Sequence, residues 1–373
     1  MRNKLIVFLT MLFFSTFWFG CSSDKNEENK TIKIASNLPL TGSLATYGEA
    51  VRDGAEFALS NILKSKGTNG PNLIFDWQDN ASQAKNAVSI FQKQKNDVYD
   101  IYISGVKPQT MAIIDEVSKI GKPHFVWIFD ADVTQKYRNT FRTWVSYKAE
   151  PLYYMKYINK VKPSKIAIIY VKLPHTDFEF NKILIPKLKQ SGINNLYVEP
   201  YLFAESNFKN IATKIKEFNP DLIMLNGFKG HLIKAIKAFR EYNLIKDGNT
   251  ICTYDLLDAA QDLSPQMLEG LRLVVPQFET RYNNNSLIKW KKNFQQKFNR
   301  QPRYTDAYAY DMTYIIFYAS EKFEKGKYKD LSTAILNTDF NGITGQQKFD
   351  NTGDLILSLD IGYYQDGKLL FED

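Results

Sequence analysis

The sequence predicts an α/β protein of two doubly wound lobes, each built on a parallel sheet, and three observations carry that expectation. Short β-prone runs alternate with helical patterns of ten or more residues along most of the chain, and such alternation demands parallel strands joined by crossover helices. The alternation comes as two series, one before and one after residue 150. The chain has 373 residues, more than one hydrophobic core usually organises.

Residues 1–20 read as a targeting segment. Arg2 and Lys4 give a positive start, and 5–19 is an apolar run too short for a comfortable membrane span. Gly20-Cys21 then opens a polar run to residue 30 that cannot pack a core. The first unit of the fold is 32–63. A β-prone run, 32–38, stops at Pro39, which cannot donate a ladder hydrogen bond. A loop of small residues follows at 41–48. Then Val51, Ala55, Ala58, Leu59, Ile62 and Leu63 recur at helical spacing, with Glu49 in the first turn facing the positive end of the dipole. In open α/β sheets such a loop lies outside the carboxyl end of its strand, where ligands bind. An ordinary connection without a ligand has the same pattern.

Next come a strand at 73–77, a helix from 79 to 94, a strand at 101–105, a helix at 108–120 and a strand at 124–129. The second series has strands at 165–171, 196–202, 221–227, 250–254 and 270–276, with helices at 178–190, 207–218 and 232–242 among them. Helical patterns return at 287–298 and 307–323, and Asp366-Gly367 marks the turn of a terminal β-hairpin.

Composition narrows the function classes. Hydrophobic content of 44% and charged content of 24% are those of an ordinary globular protein. The formal charge of +8 comes from lysines spread over many helix faces, which is a solvated surface and not a nucleic-acid footprint. Cys21 and Cys252 alone support neither a disulfide framework nor a thiolate metal site. There is no Gly-x-Ser-x-Gly elbow, Walker A run, Gly-x-Gly-x-x-Gly or His-Glu-x-x-His. His175 with Asp177 and Glu179 offers metal-ligand types, but their spacing also fits a solvated helix start. No cofactor and no metal are expected.

The run Pro39-Leu40-Thr41-Gly42, Tyr47-Gly48, Gly54-Ala55 and Ala58 resembles the opening of type I periplasmic substrate-binding proteins, the branched-chain amino acid (Leu/Ile/Val) receptors of ABC importers. Further matches follow in order: Asp76 and Asp79, the segment 203–227, Ala309-Tyr310-Asp311, 340–345 and 349–354. The resemblance covers about 32–371. It implies discontinuous lobes, 31–149 with 279–340 and 150–278 with 341–373, joined by a three-crossing hinge near Glu150, Gln277 and Asn341. Gly20-Cys21 resembles a bacterial lipoprotein signal, in which the cysteine is acylated and anchors the chain extracytoplasmically. Trp18 and Phe19 are bulkier than usual there, and a plain secretory signal is the alternative. The implied function is binding of a small polar, amino acid-like solute for an ABC permease. The alternatives are a sensor of the same fold feeding a signalling partner, and an enzyme on this scaffold.

Ligand contacts are expected from loops at the carboxyl ends of strands. The candidates are Thr41, Tyr47, Ser104, Gln109, Thr110, Trp127 and Phe129 from lobe one, and His175, Phe228 and Asp255 from lobe two. Three departures from the family pattern bear on the ligand. The first loop is Val106-Lys107-Pro108-Gln109-Thr110, where the family holds the ligand carboxylate with small hydroxyl residues. Trp127-Ile128-Phe129 replaces small residues, and His175-Thr176 replaces an aromatic-glycine pair. The acid for the ligand ammonium aligns with Asp255, or with Asp258. A ligand other than a standard α-amino acid is implied, unless Trp127 and Phe129 simply belong to the core.

Overall fold

The computed structural model describes residues 30–67, 69–145, 148–280, 285–357 and 359–371. The expected leader, Cys21 and all of the tether but Lys30 lie outside the described residues. No helix among the described residues is long and apolar enough to cross a membrane.

The first sheet is wholly parallel, in the order β2-β1-β3-β4-β5. It comprises β1 (Thr31–Leu38), β2 (Asn72–Asp79), β3 (Ile101–Gly105), β4 (His124–Trp127) and β5 (Thr140–Arg142). After β5 the chain passes to the second sheet and builds β6 (Lys165–Val171), β7 (Asn195–Tyr201), β8 (Leu222–Asn226), β9 (Thr250–Cys252) and β10 (Leu271–Pro276). It then returns to the first lobe for two long helices and a small antiparallel pair, β11 (Asp339–Gly342) and β12 (Gly345–Lys348). The terminal hairpin, β13 (Leu359–Gln365) and β14 (Lys368–Phe371), joins the second sheet antiparallel to β10. The second sheet runs β14-β13-β10-β9-β8-β6-β7. The hairpin turn is where the sequence puts it, with φ of 51° at Asp366 and 72° at Gly367. Both sheets reverse strand order beside their first strand, which opens a crevice at the carboxyl ends of β1 and β3 and of β6 and β8.

The core of lobe one lies between its sheet and the helices Ala45–Lys66 and Tyr304–Glu324. These helices touch backbone to backbone at Gly54, where a Cβ would sit 2.2 Å from the Asp306 carbonyl oxygen. Arg300 clamps the crossing, reaching Asp53 at 2.8 Å and the fully buried Asp306 at 2.5 Å.

Several elements differ from expectation. The helix expected at 108–120 is two pieces, Lys107–Met111 and Ile114–Ile120. The one at 178–190 contains a π-helical stretch, Glu179–Leu184. Segment 341–355, expected with lobe two, packs on lobe one. The Asp311 carboxylate accepts N–H bonds from Ile343 and Thr344 at 2.9 and 2.7 Å. Asp354 pairs with the buried Arg142 of β5 at 2.5 Å. The third passage between sheets therefore follows Leu355 and not Asn341.

Gly54→Ala gains at most about 1 kcal/mol of helix propensity, while forcing two backbones apart costs roughly 1–3 kcal/mol. The variant should melt a few degrees below the parent in a calorimetric scan; an unchanged or raised melting temperature would show the crossing to be loose.

Candidate functional site

Between the two sets of strand ends lies a cavity of about 220 Å3. Lobe one lines it with Leu38, Tyr47, Val106, Trp127, Phe129 and Trp144, and lobe two adds His175 and Phe228. Its loops are tightly made. A Cβ at Gly48 would lie 2.2 Å from the Pro39 carbonyl oxygen, so only glycine lets the loop after β1 fold onto the helix that follows. Val106 has φ of 67°, a strained conformation for a β-branched residue. It is held there by its N–H on Trp127 O at 3.0 Å and by Thr110 N–H on its own carbonyl at 2.9 Å. The rings form one continuous wall: Trp144 meets Tyr47, Trp127 and Phe129 edge-on at 6.0, 5.0 and 5.9 Å. Phe129 stacks on His175 across the cleft at 5.6 Å and on Tyr254 at 6.5 Å.

Phe129, His175 and Phe228 also wall a second, polar cavity of about 20 Å3, reaching toward lobe two. Glu150, Glu179 and Asp255 line it, with Thr176, Asn226 and Thr253. Glu150 opens the helix Glu150–Val161, and its Oε1 accepts from Thr253 Oγ1 at 2.9 Å and Tyr254 N–H at 3.3 Å. Burial pushes its pKa up to about 7, against the hydrogen bonds that favour the carboxylate. Glu179 and Asp255 are raised well above the usual carboxylate range, each first by burial and then by the charge of Glu150. Tyr47 is pushed up to about 12 by burial and by Asp255 and Asp258 across the cleft, with Arg303 opposing. Burial holds His175 below the ordinary imidazole value; Asp130 pulls it up and Lys107 pushes it down.

The sequence profile of the family described as periplasmic binding protein matches residues 31–368. The chain belongs to that family. It is a type I periplasmic binding protein of the branched-chain amino acid group that its motifs resemble. It is 25% identical to the leucine-, isoleucine-, valine-, threonine-, and alanine-binding protein of Pseudomonas aeruginosa, over 87% of each chain. To the Leu/Ile/Val/Thr-binding protein of Salmonella typhimurium it is 26% identical, over 57% of this chain and 59% of that protein. Its fold is similar to that of the branched-chain amino acid transporter substrate binding protein LivJ of Streptococcus pneumoniae, solved with isoleucine. That TM-score is 0.72 at 20% identity, covering 91% of this chain and 98% of the other. A solute binding protein from R. palustris, solved with benzoate, superposes with a TM-score of 0.73 at 18% identity, over 91% and 95%.

Within this binding-protein fold, the candidates Tyr47, Trp127, Phe129, His175, Phe228 and Asp255 line the two cavities. Trp127 and Phe129 are both core and wall: Trp127 is buried, with its Nε1–H on Met312 Sδ at 3.4 Å, yet one face lines the cavity. Four candidates lie outside both cavities. Thr41 is exposed and donates to Asp79 at 2.6 Å. Ser104, Gln109 and Thr110 are buried in lobe one, with Ser104 Oγ donating to Thr110 Oγ1 at 3.0 Å and meeting His124 Nε2 at 2.8 Å. Strand alternation turns Ser104 to the same face of its sheet as Tyr102, under the helix Ala84–Gln94 and away from the cleft. His175, Asp177 and Glu179 do not gather. Asp177 accepts from Tyr170 and Asn181, and among the described residues no cluster is placed to hold a metal ion. Trp144, Glu150 and Glu179 also line the cavities and were not among the ligand candidates; the sequence singled out Glu150 only at an expected crossing and Glu179 only as a metal-ligand type.

The raised pKa of Glu150 makes stability depend on pH. Its folded value of about 7 exceeds the ordinary glutamate value of 4.5, so folding takes up a proton. The stability of the neutral acid is complete below the unfolded value and is lost as pH rises through about 7. Glu150→Gln keeps the acceptor without the charge, so it should raise the melting temperature more at pH 8 than at pH 5. An equal offset at both values, read by differential scanning fluorimetry, would show that Glu150 is not the titrating group.

Proposed function

We propose that the chain is a solute-binding protein of an ABC importer, held at the extracytoplasmic membrane surface by a lipid on Cys21, and that it works by binding alone. The observation that carries this is the cleft itself. Strand-end loops of both lobes supply its walls, from Tyr47, Trp127 and Phe129 on one side to His175, Phe228 and Asp255 on the other. A ligand that touches both walls favours the closed arrangement by its differential affinity for it. Closure expels water, strengthens each polar contact, and gives a permease one shape to recognise. The names of the relatives, all binding proteins, support the reading.

The test is a thermal-shift screen of amino acids, sugars, nucleosides, amides, aromatic acids and amines. A ligand at a hundred times its dissociation constant adds about 2.7 kcal/mol. Any hit should lower the radius of gyration in small-angle scattering. Tyr47→Ala removes a ring and a hydroxyl from the wall and should weaken that ligand by roughly 1–3 kcal/mol. A hit that leaves scattering unchanged and ignores Tyr47 would place binding outside the cleft.

The anchor has its own check. Cys21→Ser should abolish incorporation of labelled fatty acid in a bacterial host; persistent labelling would remove the lipoprotein assignment and leave a plain secretory signal.

A further inference from the structure

The two halves of the cleft make opposite demands on a ligand. The larger offers rings and aliphatic carbon around about 220 Å3. Lys107, the one lysine or arginine among the described residues of its lining, is engaged by Asp130 at 2.7 Å. The hydroxyls of Ser104 and Thr110 are closed on one another and fully buried. A ligand carboxylate would find no uncommitted cation on this wall, and a desolvated carboxylate without a counter-charge is costly.

The smaller half has no lysine or arginine in its described lining. Glu179 is 1% exposed, and its Oε1 has no hydrogen-bond partner although the residue lines the cavity. No basic side chain of the described residues is among the groups that act on Glu150, Glu179 or Asp255. A buried acceptor left without a donor carries its full desolvation penalty, so what this oxygen lacks is an N–H, preferably charged. The acids are not grouped to hold a metal ion among the described residues, which favours an organic cation. The space of about 20 Å3 admits one group the size of a water molecule. A primary ammonium is that size and has three donors. The stacked rings of Phe129 and His175 form the neck between the halves.

We propose that the cleft takes a small hydrophobic amine lacking a carboxylate, its ammonium donating to Glu179 Oε1 and facing Glu150 and Asp255, its carbon body seated against Tyr47, Trp127 and Phe129. This rests on the reading of the cleft as a solute site. It departs from the amino acids named for the Pseudomonas and Salmonella relatives.

Isothermal titration of the purified full chain with two matched sets of probes tests it. One set is 2-phenylethylamine, phenylalanine and 3-phenylpropanoate; the other is 3-methylbutylamine, leucine and 4-methylpentanoate. In at least one set the amine should bind at least tenfold tighter than the amino acid, with the acid not binding. Glu179→Gln and Asp255→Asn should each weaken that amine at least tenfold. Glu179→Gln without ligand should melt no lower than the parent, because it removes a desolvated acid; a residue needed only for packing would not give both results. If Glu179→Gln does not fold, the half-buried Asp255→Asn decides alone. The inference is overturned if an amino acid or acid matches its amine, if neither variant weakens the amine, or if none of the six probes binds. In each case the solute-binding reading stands or falls separately, on whether any solute of the wider screen contracts the protein.

Discussion

Glu150 stands where the chain first leaves the five-stranded sheet. It opens the helix Glu150–Val161, and its carboxyl ties that helix to Thr253 and Tyr254 at the end of β9. The same carboxyl forms the floor of the polar cavity, beside Glu179 and Asp255. Its surroundings are dry enough to push it up to about 7. Ionising all three acids in so low a dielectric would cost several kcal/mol for each unpaired charge, and burial holds all three above the usual carboxylate range. The first passage between the sheets and the floor of the polar cavity thus share one group. A cation entering the cavity would favour the ionised form of that group.

That arrangement is built from elements of unequal visibility in the sequence. The central strands were legible because both faces are covered: β6 and β8 read as unbroken apolar runs, as buried parallel strands do. The helices Ala45–Lys66 and Tyr304–Glu324 carry enough periodic residues to stand out at any register. β5 did not, since three residues ending in an arginine show no period. Arg142 is buried only because its guanidinium donates to the carbonyls of Trp144 and Val145 and meets Asp354, more than two hundred residues away. Segment 341–355 was assigned by motif order to lobe two, but the Asp311 carboxylate draws it to lobe one. Contacts of that range leave no local trace.

The site was legible in the same uneven way. Trp127, Phe129 and Phe228 line the cavity from the ends of strands or just beyond them, and Tyr47 lines it from the first turn of the helix that follows β1. Hydroxyl residues are ambiguous, because a serine one place inside the strand end faces the other side of the sheet. Ser104 is such a residue, and His124, also buried and pushed down to about 3, keeps it engaged there. Glu179 follows His175 and Asp177 in what reads as a solvated helix start, yet the fold buries it at the head of a π-helical stretch. That stretch widens the helix by a residue per turn, and ordinary helical spacing assigns its side chains to the wrong face.

These displacements have a chemical consequence that neither makes alone. A zwitterionic ligand brings two opposite charges about one carbon apart, and a closed cleft must answer both or strip one of them of water unpaired. Here the wall of lobe one answers with rings and with hydroxyls turned inward, while lobe two answers with three acids and an unpartnered oxygen. Leaving one charge buried and uncompensated costs roughly 3–5 kcal/mol, more than the roughly 0.5–1.5 kcal/mol that an added aromatic contact returns. Extending the apolar wall therefore does not offset the loss of the carboxylate site. With a shared fold and a shared cleft, the proposed selectivity follows from which lobe offers a partner for a ligand charge, and in this chain the acids lie in lobe two.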